Sequence, residues 1–381
     1  MQASTIDTPT IGHTGTICAA IELSQKTWLV TLHSPDRDRI SRHTIEGGDS
    51  AGLLALLEKI RARVADKLGY SPKIVTCYEA GYDGFWLHRL LLAAGITNLV
   101  VDPASIPVEQ RSRRAKTDRI DGELLVRTLM AYLRGEPRVV RIVRAPSVEQ
   151  EDARRASRER DRLVKEQTAH TNRLKALLRL VGMAIGNPRR SDWLGWLAKQ
   201  RDRQDRAVPP QLLAEITREH ARLMLVREQL AALEQAPAAD DPATASMIER
   251  RNLLLRLKGM GPVFAATLAN EVFYKDFRNR REVAAYFGLA PSPWRSGSID
   301  REQGISKAGN PRARLKAVEL AWLWLRHQPD SKLSQWFRTR TANAGSRARR
   351  IAIIALSRKL VVALWRYLTT GMIPAEATMK A

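Results

Sequence analysis

The chain has 381 residues and a formal net charge of +23, with 63 Lys or Arg against 40 Asp or Glu. That length suits two or three domains, and an apolar fraction of 44% is enough to build packed cores, so a disordered chain is excluded. No apolar run is long enough to span a membrane, and the first residues lack the basic-then-apolar pattern of a secretory leader. The only cysteines, Cys18 and Cys77, sit in separate apolar runs; this suits reduced, buried thiols of a cytosolic protein and leaves no zinc-ligand spacing.

The charge is unevenly spread. Residues 1–100 hold ten basic and ten acidic side chains, residues 101–200 hold 22 and 13, and the remainder is net +14. A basic excess that begins near residue 101 and persists to the end is the footprint of a polyanionic partner, most commonly nucleic acid. A solvated, highly charged helical surface is the plainer alternative.

In chain order, residues 17–22 and 28–33 read as short strands, with a weaker third near 39–45. Residues 50–67 have helical periodicity, 73–78 read as a buried strand, 83–94 as a helix closed by Gly95, and 97–101 as a strand stopped by Asp102-Pro103. Thr117 is placed to cap a helix from Asp118 to Leu133. This α/β order is that of the ribonuclease H-like fold. A Pro/Arg connector leads to two long, charged helical stretches, 148–181 and 209–235, joined through SDWLGWLAKQ and expected to form a helical hairpin or coiled coil that supports self-association. Residues 235–246 have the composition of a linker, and 247 to about 370 read as mostly helical. The expected division is a disordered start (1–15), an α/β domain (16–146), a helical hairpin with its linker (147–246), a mainly helical domain (247–372) and a tail (373–381).

The segment RRAKTDRID, residues 113–121, places two carboxylates inside a basic run. Asp118 and Asp121 stand three apart at a helix start and share one face. Glu22 ends the first strand and Glu79 follows the fourth. If those strands are neighbours and the last helix starts over their ends, four carboxylates converge. They would repel unless divalent cations bind them, and hard oxygen donors suit Mg2+ or Mn2+. Two such ions serve phosphoryl transfer by activating the attacking oxygen and stabilising the leaving one. Arg111, Arg113, Arg114, Lys116 and Arg119 then fit as phosphate contacts. Taken singly, each of these acids is more often a loop residue or a helix cap.

Farther on, Gly259 and Gly261 bracket a tight turn between helical runs, in the manner of a helix-hairpin-helix whose backbone N–H groups grip a DNA phosphate. An ordinary helix–helix turn explains the pattern as well. Residues 287–310 have the Gly, Pro and Ser density of a long loop, ended by an Arg/Lys-rich helix. Ser296 is a candidate nucleophile in it, with Ser292, Ser298 and Ser306 as competitors; Arg295, Lys307, Arg312 and Arg314 are candidates to neutralise a phosphate.

The segments AAIELSQKTW, CYEAGYDG, RRAKTDRID, LKGMGP and GLAPSPWRSGS followed by GISKAGNPRAR together resemble the DEDD transposases of the IS110 insertion-sequence family, relatives of the Piv DNA invertase. The resemblance runs in order over nearly the whole chain. It implies an N-terminal RuvC-like domain, a coiled coil and a C-terminal transposase domain. It implies that Glu22, Glu79, Asp118 and Asp121 bind Mg2+ and that Ser296 attacks DNA to form a phosphoserine link. It further implies guidance by a structured (bridge) RNA that pairs with donor and target DNA, dimers that pair into a tetramer, and work in the cytoplasm at the bacterial nucleoid. One departure stands out: the family's first carboxylate is commonly Asp, and here it is Glu22. The remaining readings are a metal-dependent nuclease of the Holliday-junction type, without serine chemistry, and a non-catalytic nucleic-acid-binding descendant.

Overall fold

The computed structural model describes residues 15–106, 118–235, 244–296 and 299–380. They fall into two compact units, Met1–Pro146 and Ser147–Ala381. The start of the chain (1–14), the basic run 107–117 with Arg111, Arg113, Arg114, Lys116 and the capping Thr117, and most of the linker lie outside the described residues.

The first unit contains β1 (Thr16–Glu22), β2 (Thr27–Ser34), β3 (Arg37–Glu46), α1 (Ser50–Leu68), β4 (Lys73–Glu79), α2 (Trp86–Ala93), β5 (Thr97–Val101) and α3 (Asp118–Leu133). The five strands form one mixed sheet in the order β3-β2-β1-β4-β5. β1–β2 and β2–β3 are antiparallel, and β1–β4 and β4–β5 are parallel. The third strand is ten residues long rather than a marginal one. It lies on an edge, and its Arg37, Arg39 and Arg42 are the sort of charges that keep an open edge from pairing further.

Alternation along the strands sends side chains to two cores. Ile17, Ala19 and Ile21 of β1 and Tyr78 of β4 pack with Leu53, Leu57 and Ile60 of α1 and Leu87 and Leu91 of α2. Cys18 and Ala20 of β1 and Val75 and Cys77 of β4 face the other way, against Leu125, Val126, Leu129 and Leu133 of α3. Burial pushes the Cys18 thiol up to about 12 and raises the Cys77 thiol as well, so both stay protonated. α1 starts at Asp49, whose carboxylate accepts from the Gly52 N–H, and stops at Gly69 in the left-handed conformation.

The second unit begins with α4 (Val148–Asp152), α5 (Arg155–Leu180), α6 (Trp193–Ala198) and α7 (Pro210–Gln235). The stretch expected as one helix from 148 to 181 is therefore broken near Ala153-Arg154. Ser147 and Gln150 close a capping box on α4, and Arg154 turns inward, donating to the Asn270 carbonyl at 3.0 Å and stacking over the Tyr274 ring. Leu174 and Leu178 of α5 meet Ile216 and Leu223 of α7, with Trp193 and Leu197 of α6 filling the end of the pair.

The rest comprises α8 (Ala245–Leu255), α9 (Pro262–Glu271), α10 (Arg280–Tyr286), β6 (Pro291–Ser296), β7 (Ile299–Ile305), α11 (Pro311–His327), α12 (Lys332–Thr341) and α13 (Ser346–Thr370). Trp324, Leu356, Leu360 and Leu364 are buried at its centre. The segment expected as a tail is built in. Lys258 N–H donates to the Thr378 carbonyl, Lys380 N–H to the Arg256 carbonyl, and Met379 bridges to Leu257. Among the described residues no helix is long and apolar enough to cross a membrane.

Candidate active site and nucleic-acid interface

The first two carboxylates end neighbouring strands. The β1–β4 pairing runs from Thr16 opposite Lys73 to Ala20 opposite Cys77, and Glu22 and Glu79 each stand two residues beyond it as the last residue of its strand. Neighbouring strands are about 4.8 Å apart. Both residues continue the alternation of Cys18-Ala20 and Val75-Cys77, which places them on the face covered by α3.

The helix completes the arrangement because Gly122 lets it settle on the sheet. A β-carbon there would lie 2.5 Å from Thr31 Oγ1, and Thr31 pairs with Ala20. Only glycine permits this approach. From that contact the apolar residues 125–133 run over Cys18 and Val75, back toward the strand starts. Asp118 and Asp121 lie in the first turn of α3, and its later residues Leu125, Val126, Leu129 and Leu133 pack with Cys18, Ala20, Val75 and Cys77. Arg42 of β3 makes an ion pair with Glu123, which holds this turn laterally. The side chains of Asp118 and Arg119 lie outside the described residues.

The donor set is all carboxylate oxygen, which suits a hard divalent cation. Glu22 and Glu79, the last residues of two neighbouring parallel strands, are of the donor type such an ion takes. Among the described residues no group of three or more His, Cys, Asp or Glu side chains stands close enough to hold a metal, so Glu22, Glu79 and Asp121 do not by themselves form such a group.

The serine segment differs from its expected form. Instead of a long loop, β6 and β7 pair antiparallel, with Ser296 opposite Ile299 and Arg295 opposite Asp300. Pro291 and Pro293 disguise the strand, yet both strands of a two-stranded sheet are edges, where proline is tolerated. Ser296 is thus the last strand residue before Gly297 and Ser298, which lie outside the described residues. Ser292 is half-buried within β6, and Ser306 is exposed beyond β7.

The base of the hairpin is a tight knot. Ser306 N–H donates to the Ala290 carbonyl, Lys307 N–H to Gly288, and Asn310 N–H to Tyr286. A β-carbon at Gly309 would sit 2.5 Å from the Tyr286 carbonyl oxygen and 2.6 Å from the Gly288 nitrogen. Asn310 then caps α11, accepting from the N–H groups of Arg312 and Ala313, with Pro311 in the first turn. Lys307 is exposed and holds a positive φ of 56°, while Arg314 donates to the Lys307 and Phe287 carbonyls and pins the turn.

Arg312, a candidate phosphate ligand in the sequence, is used inside the unit. Its guanidinium donates to Glu271 Oε1 at 2.6 Å, Asp161 Oδ2 at 2.7 Å and the Ser157 carbonyl at 2.7 Å. Arg158 adds a two-pronged contact to Glu271 at 2.7 and 2.9 Å. Burial would raise the Glu271 carboxyl, but the Arg158 hydrogen bond and the charges of Arg158, Arg312 and Arg154 outweigh it and hold the group below its ordinary value. Sequence reasoning missed this cluster because its members lie on α5, α9 and α11, far apart in the chain.

Gly259 has a positive φ of 84° in the turn between α8 and α9, with its α-carbon toward His327 of α11, and Gly261 precedes Pro262 at the α9 start.

Two transposase family models match the chain. A DEDD transposase model of the IS110 type matches residues 20–183, and the model for the transposase IS116/IS110/IS902 family matches residues 251–336. A Sinorhizobium fredii protein named as a transposase, y4rJ, is 47% identical over 384 residues, covering 96% of this chain and 95% of the relative. The transposase for insertion sequence element IS1328 of Yersinia enterocolitica is 25% identical over 82% of this chain and 89% of its own length. The transposase for insertion sequence element IS1111A of Coxiella burnetii is 26% identical over 74% of each. Transposases act on DNA, in keeping with the basic excess of the later chain, and this chain belongs to the IS110/IS116/IS902 family of insertion-sequence transposases.

Proposed function

We propose that this transposase cuts and rejoins DNA by attack of Ser296 on a phosphodiester, assisted by Glu22, Glu79, Asp118 and Asp121. The observation that carries the reading is that Glu22 and Glu79 end two paired parallel strands whose Cys18, Ala20, Val75 and Cys77 pack against α3. The strand order β3-β2-β1-β4-β5, with β2 antiparallel, supports a RuvC-like, ribonuclease H-like domain over 16–146. A helical hairpin over 147–246 and a transposase domain from 247 complete the division. The four carboxylates would hold Mg2+ or Mn2+, which supplies charge neutralisation at the reacting phosphate. The acids would hold the cation that draws the phosphate in. In the attack, the Ser296 Oγ–P bond forms as a P–O bond to the sugar breaks, and the sugar oxygen leaves carrying a proton. Arg295 and Lys307, beside the hairpin turn and its base, offset the phosphate's charge. Arg113, Arg114, Lys116 and Arg119 hold the strand at the carboxylate edge, and the turn at Gly259 and Gly261 offers backbone N–H groups. The same basic surfaces would carry a structured guide RNA, in a homo-oligomer working at the nucleoid.

The test mixes purified protein with labelled donor and target DNA and Mg2+, with and without RNA transcribed from the element's flank. A denaturation-resistant protein–DNA band that disappears in Ser296→Ala and in Asp121→Asn is the expected result. Cleavage without a band overturns the serine chemistry and leaves a metal nuclease. Binding without any cleavage leaves a non-catalytic protein, and Glu22→Asp is then the variant to make.

A further inference from the structure

We propose that the groove between α13, the β6–β7 hairpin and the C-terminal segment is a track for one sugar–phosphate backbone of duplex DNA. The groove encloses about 1310 Å³. Pro291, Gly304 and Ile305 of the hairpin form one wall, Met372 and Ile373 another, and α13 runs along it. α13 contributes Arg347, Arg350, Arg358, Lys359 and Arg366; Arg280 and Arg281 of α10 and Lys332 of α12 add to the rim. Among the described residues that line it, none is acidic. The proposal rests on the reading that the hairpin serine works on DNA.

The charge is in excess of what the fold uses. Lys332 pairs with Glu376 at 2.9 Å, and Lys359 lies over the Trp336 ring. Arg347, Arg350, Arg358 and Arg366 make no ion pair with a described residue. The first turn of α13 has no acidic residue and no side-chain cap, yet carries Arg347, Arg349 and Arg350. Cations at a helix N-terminus oppose the macrodipole, so this placement works against the helix unless an anion lies beside it.

The helix has two contrasting stripes. Ile353, Leu356, Leu360 and Leu364 face the core. On the other side Arg350, Ile354, Arg358, Val362 and Arg366 recur at a spacing of four. From Arg347 to Arg366 the helix rises about 28 Å, which matches about eight phosphates of one strand at 3.4 Å each along the duplex axis.

Three features select the ligand. Among the described residues no Phe, Tyr or Trp lines the groove, so they offer no stacking platform of the kind a single-strand binder uses. A wholly cationic rim selects a polyanion over a peptide of mixed charge. The exposed apolar floor, with Ile351 at 61% and Met372 at 64% exposure, suits deoxyribose; RNA would have to bury 2′-hydroxyls there without hydrogen-bond partners.

The experiment measures binding of a 30-base-pair DNA duplex of arbitrary sequence by fluorescence anisotropy, across a range of salt. The full chain is used with Ser296→Ala throughout, so failure of the serine chemistry cannot alter the readout. The test variant carries Arg350→Gln, Arg358→Gln and Arg366→Gln. A charge-matched control neutralises Arg61, Arg134 and Arg206, each ion-paired within the protein. Loss of three phosphate contacts makes the slope of log K against log salt shallower by about 2.7, and weakens binding by about 500-fold at 0.1 M salt. The control keeps the parental slope. Equal losses in both variants would reduce the effect to net charge and overturn the track. An unchanged DNA slope overturns it too, whether it comes with lost duplex-RNA binding, which would make the groove an RNA site, or with a changed oligomeric state, which would make it a seat for a second copy.

Discussion

Two arginine clusters in the second unit look alike in sequence and differ in what surrounds them. Arg158 and Arg312 converge on Glu271, which is 2% exposed, and their donors are spent on that carboxylate, Asp161 and the Ser157 carbonyl. Arg350, Arg358 and Arg366 line a groove whose described walls include no acidic residue. The first cluster is part of the protein's own electrostatics; the second is complementary to something else. Residue type does not separate the two. An acidic side chain arriving from a distant helix does, and this is why Arg312, following the GISKAGNP segment, reads as a phosphate ligand until α9 and α5 are placed beside it.

The largest effect should come from breaking the first cluster. Glu271→Ala leaves two guanidinium groups facing each other without their anion and should lower unfolding free energy by about 3 kcal/mol, read from the urea midpoint at constant m-value. Arg312→Lys keeps the charge but cannot satisfy Glu271, Asp161 and the Ser157 carbonyl together, and should cost about 2 kcal/mol by the same measurement. The next effect is seen in pH. The Glu271 carboxyl is held below its ordinary value in the folded state, so its contribution is fully present above the unfolded value near 4.5 and is lost as pH falls through the lower, folded one. The stability gap between the parent and Glu271→Gln should therefore stay level from pH 7 to about 5.5 and shrink in more acidic solution. The smallest effect on stability belongs to the second cluster. Arg350→Gln with Arg358→Gln and Arg366→Gln should change unfolding free energy by less than about 0.5 kcal/mol while altering DNA binding. A loss of several kcal/mol there would erase the distinction between the clusters.

Much of the first unit is legible in the sequence, because its signals are local. Alternating apolar strands and the helical periodicity of residues 50–67 each act within a few residues. The neighbouring of β1 and β4 follows from the element order, and each of the two paired strands ends on a carboxylate, Glu22 or Glu79. Gly122 carries no such local signal; its reason is Thr31 on a distant strand. In the second unit, prolines concealed β6, and Arg154 broke a helix that periodicity alone would continue, because its partners are Asn270 and Tyr274. The α13 stripe of Arg350, Arg358 and Arg366 was present in the spacing. It is hidden by the general basicity of the chain, and becomes distinct only when the buried stripe of the same helix is known.

The Glu271 cluster also has a mechanical consequence. Arg158 and Asp161 stand near the root of α5, a helix of 26 residues and hence about 39 Å long. A helix of that length acts as a lever, so a rotation of about 5° at the root would displace the far end by about 3 Å. By clamping the root to α9 and α11 at several points, the charged cluster sets the aim of the arm, and precision at its tip depends on ion pairs at its base.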